Sequence, residues 1–323
     1  MRLLILGGTQ FVGRHVAAAA LARGWQVTLF NRGRTDPGAF PEAEHLIGDR
    51  ERALDALAER EWDAVVDTSG YIPRVVRAAV ETLADRVGAY VFISSAGVYA
   101  DKSRPGLAEE AGLIELDDPH TEDVSAHYDG LKVLCERAVL EVSGGRAAIV
   151  RPGLIVGPHD PTNRFTYWVT RIAAGGTVLA PEPRDQPVQV IDARDLAEFV
   201  LQLSASGTAG TFNAVGDVTT MEGVLTAIRS ATNSAAAFRW VSERRLLDAD
   251  VEPWQDLPLW LAPESDPTYR GFLAMSNARA KRAGLILRPL EDTARDTAAW
   301  APCVPMGSAG LDRDRERRLL TGG

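Results

Sequence analysis

Leu3-Leu4-Ile5-Leu6-Gly7-Gly8-Thr9-Gln10-Phe11-Val12-Gly13 is the stretch whose reading decides the fold. The apolar run stops at Gly7-Gly8, too soon for a secretory leader or a membrane span, and reads as a short strand buried on both faces. Behind it, Phe11–Arg23 carries an alanine-rich helical pattern that ends at Gly24. A glycine-rich turn between a first strand and a helix lets the backbone come close to a pyrophosphate. The helix start adds unpaired N–H groups and the positive end of its dipole. Gly13 allows the helix to lie close on the strand.

The same alternation continues outward. Val27–Phe30, His45–Ile47, Ala64–Val66, Tyr90–Ile93, Ala147–Val150 and Thr211–Val215 read as strands, and Arg74–Val87, His127–Val142, Phe165–Ala174 and Asp192–Leu203 as helices. Apolar strands alternating with helices predict an α/β fold, a Rossmann-type doubly wound parallel sheet with a smaller C-terminal substrate lobe. Prolines and glycines gather between Pro152 and Pro187, and Thr219–Trp300 mixes helices with a Pro- and Trp-rich loop. The expected organisation is a dinucleotide-binding domain over 1–152 plus 186–216 and a substrate lobe over 153–185 plus 217–300. A loosely ordered tail over 301–323 is expected to follow, with its charged run Asp312–Arg318.

Composition narrows the function. The chain has 323 residues, 46% of them hydrophobic and 24% charged, with a formal net charge of -9, the profile of a globular protein and not of a nucleic-acid coat. Two cysteines, Cys135 and Cys303, exclude a secreted disulfide framework, and the five histidines lack metal-ligand spacing. A cytoplasmic protein is expected, with no metal, no membrane and no nucleic-acid partner.

Cofactor selectivity is read at the end of the second strand. Asn31-Arg32-Gly33-Arg34 stands where an NAD enzyme places an acid for the ribose hydroxyls. Two guanidinium groups and no carboxylate favour NADP(H) over NAD(H). The expected cofactor contacts are Gly7, Thr9, Gln10, Phe11, Val12, Gly13, Asn31, Arg32 and Arg34. Asp49 joins them as an adenine partner, a role compatible with capping a helix over Arg50–Ala58.

Two further segments carry chemistry. Strand five ends in Ser94-Ser95, and Tyr128-Asp129-Gly130-Leu131-Lys132 puts a phenol and an amine on one helix face. A nearby ammonium favours the phenolate, so Lys132 is expected to make Tyr128 more acidic. Tyr128 then gives or takes the proton of a substrate oxygen that Ser95 also binds. In this order and setting the segments resemble the extended short-chain dehydrogenase/reductases, the NAD-dependent epimerase/dehydratase family. Arg151-Pro152-Gly153-Leu154-Ile155-Val156-Gly157-Pro158 is similar to that family's R-P-x-x-x-x-G-P loop. The resemblance implies a catalytic set of Ser95, Tyr128 and Lys132, with Lys132, Arg151 and Pro152 beside the nicotinamide end. Together with Arg32 and Arg34 it points to an NADP(H)-dependent oxidoreductase acting on a carbonyl/alcohol pair of a small molecule, and it implies a homodimer.

Departures shape the alternatives. Gln10 replaces the family's middle glycine, and Ala96-Gly97 stand where dehydratases carry Asp-Glu, which disfavours elimination. An epimerase of a sugar or sugar nucleotide would use the same three residues. A non-catalytic dinucleotide sensor or RNA-binding protein, as in the family's chloroplast stem-loop RNA-binding branch, would keep the fold without turnover. On the substrate side, Arg164, Tyr167 and Trp168 are candidates to line a pocket over the nicotinamide. Trp254, Trp260, Tyr269 and Phe272 could shape a partly apolar cavity there.

Overall fold

The computed structural model describes residues 1–303 and 309–321. Seven strands form one parallel sheet: β1 (Arg2–Leu6), β2 (Gln26–Asn31), β3 (Glu44–Ile47), β4 (Trp62–Asp67), β5 (Val87–Ile93), β6 (Ala148–Pro152) and β7 (Gly210–Ala214), in the order β7-β6-β5-β4-β1-β2-β3. Alternation along β1 explains the double cover. Leu3 and Ile5 pack with Val16, Ala17 and Ala20 of α1 (Phe11–Ala22) and with Leu196 and Val200 of the helix Ala193–Ser206. Leu4 and Leu6 face the opposite way, toward Val76 and Val80 of the helix Pro73–Leu83 and Cys135 and Val139 of the helix Val124–Val142. The expected Rossmann-type sheet is therefore present. Its strand order reverses between β1 and β4, and a crevice opens there at the carboxyl edge.

Two boundaries differ from the sequence reading. The helix expected over Arg74–Val87 stops at Leu83, because Val87 pairs with Trp62 and begins β5. Residues 278–287, assigned to the substrate lobe, return to the sheet. Ala280 and Leu285 are buried in the same core as Phe199 and Phe212.

The lobe has its own core. Phe165, Trp168 and Ile172 of the helix Arg164–Ala173 pack with Val178, Leu225 and Trp260. Thr177–Pro181 pairs in parallel with Ala237–Val241, a strand that the sequence reading lacks. The tail expected to be loosely ordered over 301–323 is instead docked where it is described; 304–308 and 322–323 lie outside the described residues. Asn163 Nδ2 donates to Ala309 O at 3.1 Å, and Arg313–Thr321 forms a helix. Within it, Glu316 is buried and takes Arg171 Nε at 2.6 Å and the Leu179 N–H at 3.0 Å.

Removing one partner of a buried pair strands the other charge. Glu316→Ala should destabilise the protein by about 3–5 kcal/mol in urea denaturation followed by tryptophan fluorescence. The exposed Arg318→Ala should stay within about 0.5 kcal/mol. Equal, small effects would show that the tail does not dock.

Candidate active site

The glycine turn is built around a contact that excludes side chains. Gly7 and Gly8 hold φ of 112° and 97°, a region closed to most L residues. A Cβ on Gly13 would lie 2.7 Å from Gly8 N, so α1 can start this close to β1 only with glycine there. Gln10 sits in ordinary extended backbone (φ -130°, ψ 139°), and the unusual conformation falls on Phe11 at φ 34°. No side chain caps α1 and its first turn holds no acid, which leaves its N–H groups and dipole open to an anion. Gly7, Thr9, Gln10, Phe11, Val12 and Gly13 all line a cavity of about 700 Å³. These residues fit the pyrophosphate of a dinucleotide.

At one end of that cavity Asn31 braces the turn. Its Nδ2 donates to Gly7 O at 3.1 Å and its Oδ1 accepts the Gly33 N–H at 2.8 Å. Arg32 and Arg34 are exposed, line the crevice and have no carboxylate partner among the described residues. Asp49 also lines it. Its Oδ1 accepts the Glu51 N–H at 3.0 Å, capping a turn, since the helix expected over Arg50–Ala58 is confined to Asp55–Ala58. Arg50 was not anticipated. Its guanidinium takes both oxygens of Asp67 at 2.8 Å, and Tyr90 Oη donates to the same carboxylate at 3.0 Å. Burial works to raise the Asp67 pKa, but the Arg50 charge and hydrogen bonds prevail and hold it below the usual range.

At the other end lie the residues expected to act. The helix Val124–Val142 is kinked at His127 (φ -128°, ψ 26°), so a regular helix starts at Tyr128. Tyr128, Lys132 and Ser95 share the crevice with the glycine turn. The anticipated acidification of Tyr128 is absent, however. Lys132 directs two of its three ammonium protons to Gly70 O at 2.8 Å and Ile93 O at 2.5 Å, and lies 4.3 Å from the centre of the Phe92 ring. Burial lowers its pKa to about 8, against the opposing influence of Cys135, Asp67 and Glu136. Burial pushes the Tyr128 phenol upward instead, aided by Tyr71 and Asp129. Ser95 Oγ accepts the Gly97 N–H at 2.9 Å and bonds the Asp129 carboxyl. Asp129 fills the space where a Cβ of Gly97 would stand, at 2.0 Å from its Oδ1, which is why glycine occupies position 97. Burial raises the Asp129 pKa, with Lys102 and Ser95 acting against it. The neighbouring Ser94 is no substitute for Ser95, because its hydroxyl donates to Glu136 at 2.5 Å in the core.

Three expected site residues belong elsewhere. Arg151 is buried away from the crevice. Its Nε and Nη2 reach Glu136 at 2.9 and 2.6 Å and its Nη1 reaches Tyr99 Oη at 3.0 Å, so it ties β6 to the helix that carries Lys132. Pro152, next in sequence, does line the crevice. Tyr167 and Trp168 are buried in the lobe core. Trp168 Nε1 donates to Pro258 O at 2.7 Å, and the Tyr167 ring lies where a Cβ of Gly310 would be. Arg164, by contrast, reaches the crevice and stacks on Trp254 at 5.2 Å.

Comparison with known proteins agrees with this fold. The model of the NAD dependent epimerase/dehydratase family matches residues 3–215. The chloroplast stem-loop binding protein of 41 kDa b from Arabidopsis thaliana is 28% identical over 234 residues, 67% of this chain and 59% of that protein. The 2-alkyl-3-oxoalkanoate reductase of Stenotrophomonas maltophilia (strain K279a) is 26% identical over 189 residues, 50% of this chain and 52% of that protein. The chain thus spans less than two-thirds of the length of either curated relative. A UDP-glucuronic acid 4-epimerase from Bacillus cereus, solved in complex with NAD, shares the fold with a TM-score of 0.67 at 13% identity, covering 96% of this chain and 99% of that one.

The buried amine gives a titration to check. The chain contains three lysines, Lys102, Lys132 and Lys281, so labelled-lysine NMR of the cofactor-free protein should assign one transition near pH 8 to Lys132. The unfolded amine keeps its proton up to about 10.5, so burial of the ammonium destabilises the fold below pH 8. That penalty fades as pH rises between the two values. Lys132→Met should remove this rise in stability, and an unchanged pH profile would contradict the assignment.

Proposed function

The chain belongs to the NAD dependent epimerase/dehydratase family, and within it we propose an NADP(H)-dependent oxidoreductase that acts on the carbonyl/alcohol pair of a small molecule. One observation carries the reading. A single crevice is lined by the glycine turn, by Arg32 and Arg34, and by Ser95, Tyr128 and Lys132. The bound nicotinamide would supply or accept the hydride. Gly7 to Gly13 would hold its pyrophosphate, Arg32 and Arg34 the 2′-phosphate, and Lys132 the ribose hydroxyls next to the reacting ring.

The chain's own part is proton transfer and positioning. The Tyr128 phenol, protonated at neutral pH as any ordinary phenol is, can donate to a carbonyl oxygen. Ser95, fixed by the Gly97 N–H and Asp129, presents its oxygen to the same crevice. The name of the Stenotrophomonas relative, a reductase, supports the redox reading.

The alternatives have less support here. A sugar-nucleotide epimerase has a diphosphate to grip, and Arg164 is the one lobe cation among the described residues that line the crevice. A stem-loop-binding role, as the plant relative's name gives it, suits neither a net charge of -9 nor a full Ser–Tyr–Lys set.

Tyr128→Phe should lose about 10²–10⁴-fold of carbonyl-dependent NADPH oxidation while still binding NADPH. Undiminished turnover in that variant would remove the reading. The double change Arg32→Ala with Arg34→Ala should weaken NADPH binding by about tenfold or more and leave NADH binding nearly unchanged. Equal losses for the two cofactors would contradict the NADP preference.

A further inference from the structure

Five cations line the crevice: Arg32, Arg34, Arg50, Lys132 and Arg164. Arg50 is neutralised by Asp67, and Lys132 is held by two carbonyl oxygens. Arg32 and Arg34 stand beyond β2, at the end away from Tyr128. Arg164 differs from all of these. It comes from the lobe side, its guanidinium has no hydrogen bond or ion pair among the described residues, and its Nε is buried without a partner.

The guanidinium is nevertheless fixed. Its Cζ lies 5.2 Å from the centre of the Trp254 ring, and that ring packs edge-on to Phe272 at 5.9 Å. Trp254 is held in the left-handed region at φ 66° by its N–H bond to Trp260 O at 2.9 Å, a conformation that costs on the order of 1 kcal/mol for a residue of this kind. Stacking satisfies the face of a guanidinium and leaves its N–H edge free. Asp160 is the acid whose charge reaches Arg164, without an ion pair: its Oδ1 accepts the Thr162 N–H at 2.8 Å, and its Oδ2 is buried without a partner.

A guanidinium that lines a cavity and meets no acceptor among the described residues leaves donors that a ligand can match. We propose that the substrate carries a carboxylate, and that Arg164, stacked on Trp254, receives it at the lobe wall of the crevice. A guanidinium edge with no direct acceptor is matched in shape by one carboxylate. A phosphate or diphosphate, with more charge and more acceptor oxygens, would call for further donors than this wall holds. The inference deepens the oxidoreductase reading and rests on it: the carbonyl or alcohol lies at Tyr128 and the carboxylate at Arg164.

The test is calorimetric and uses the NADP⁺-loaded protein. The probes are aliphatic hydroxy acids with the carboxylate one, two or three carbons from the alcohol, and the methyl esters of the same series. At the best spacing the acid should bind about tenfold to a hundredfold tighter than its ester. Arg164→Gln should bring that ratio close to one with NADP⁺ affinity unchanged, and Arg164→Lys should keep part of the preference. Three outcomes would overturn the inference: no acid in the series preferred over its ester, a preference that survives Arg164→Gln, or a loss confined to NADP⁺ affinity. In each case, turnover that is still lost in Tyr128→Phe would leave the oxidoreductase reading standing. A protein that neither binds nor consumes NADPH would remove both.

Discussion

The approach of Gly13 to Gly8 is the constraint from which the rest of the site follows. A side chain at position 13 would meet backbone at 2.7 Å, so only glycine lets α1 begin directly over the end of β1. That closeness turns the helix's open N–H groups toward the switch point of the sheet, where the helices that follow β1 and β4 pack on opposite faces. Thr68 reinforces the junction, with Oγ1 donating to Leu6 O at 2.9 Å beside Gly7 and Gly13. The crevice is therefore placed by backbone contact, with the side chains arranged around it.

Charge is managed by separating paired from unpaired groups. Arg151–Glu136 and Arg171–Glu316 are buried, Arg50–Asp67 is half-buried, and all three are matched in geometry and pin elements to one another. The first joins β6 to the helix of Lys132, the second braces the floor of the crevice, and the third docks the C-terminal helix to the lobe. Buried pairs of this kind add little net stability but strongly penalise the loss of one partner. The arginines without an ion pair among the described residues that line the crevice are Arg32, Arg34 and Arg164. Lys132 lies between these classes, since its carbonyl partners bind the ammonium without neutralising it.

The sheet, the glycine turn and the Tyr128–Lys132 pair were legible in the sequence because each depends on local rules. Strand burial follows from apolar runs, the turn from glycine, and the pair from helical spacing. What escaped depends on partners remote in sequence. Arg151 sits in a motif that suggests cofactor contact, and only its meeting with Glu136 in the core reveals a structural role. Tyr167 and Trp168 follow Arg164 on one helix, and nothing in the order of residues tells which of them turns to the lobe core. Glu316 is one acid within a charged run, indistinguishable from its solvated neighbours until Arg171 and the Leu179 N–H are placed around it. Asp129 was passed over because it lies between the two residues that drew attention, although Gly97 opposite it was the available sign of a close contact.

The central claim is that a 2′-phosphorylated nicotinamide dinucleotide occupies the crevice running from Arg32 and Arg34 to Tyr128. Native mass spectrometry of the full chain offered NADP⁺ and NAD⁺ in equal amounts measures this directly. The account predicts a one-to-one adduct whose mass carries the extra phosphate. An adduct of NAD⁺ alone, or none of either, would contradict it.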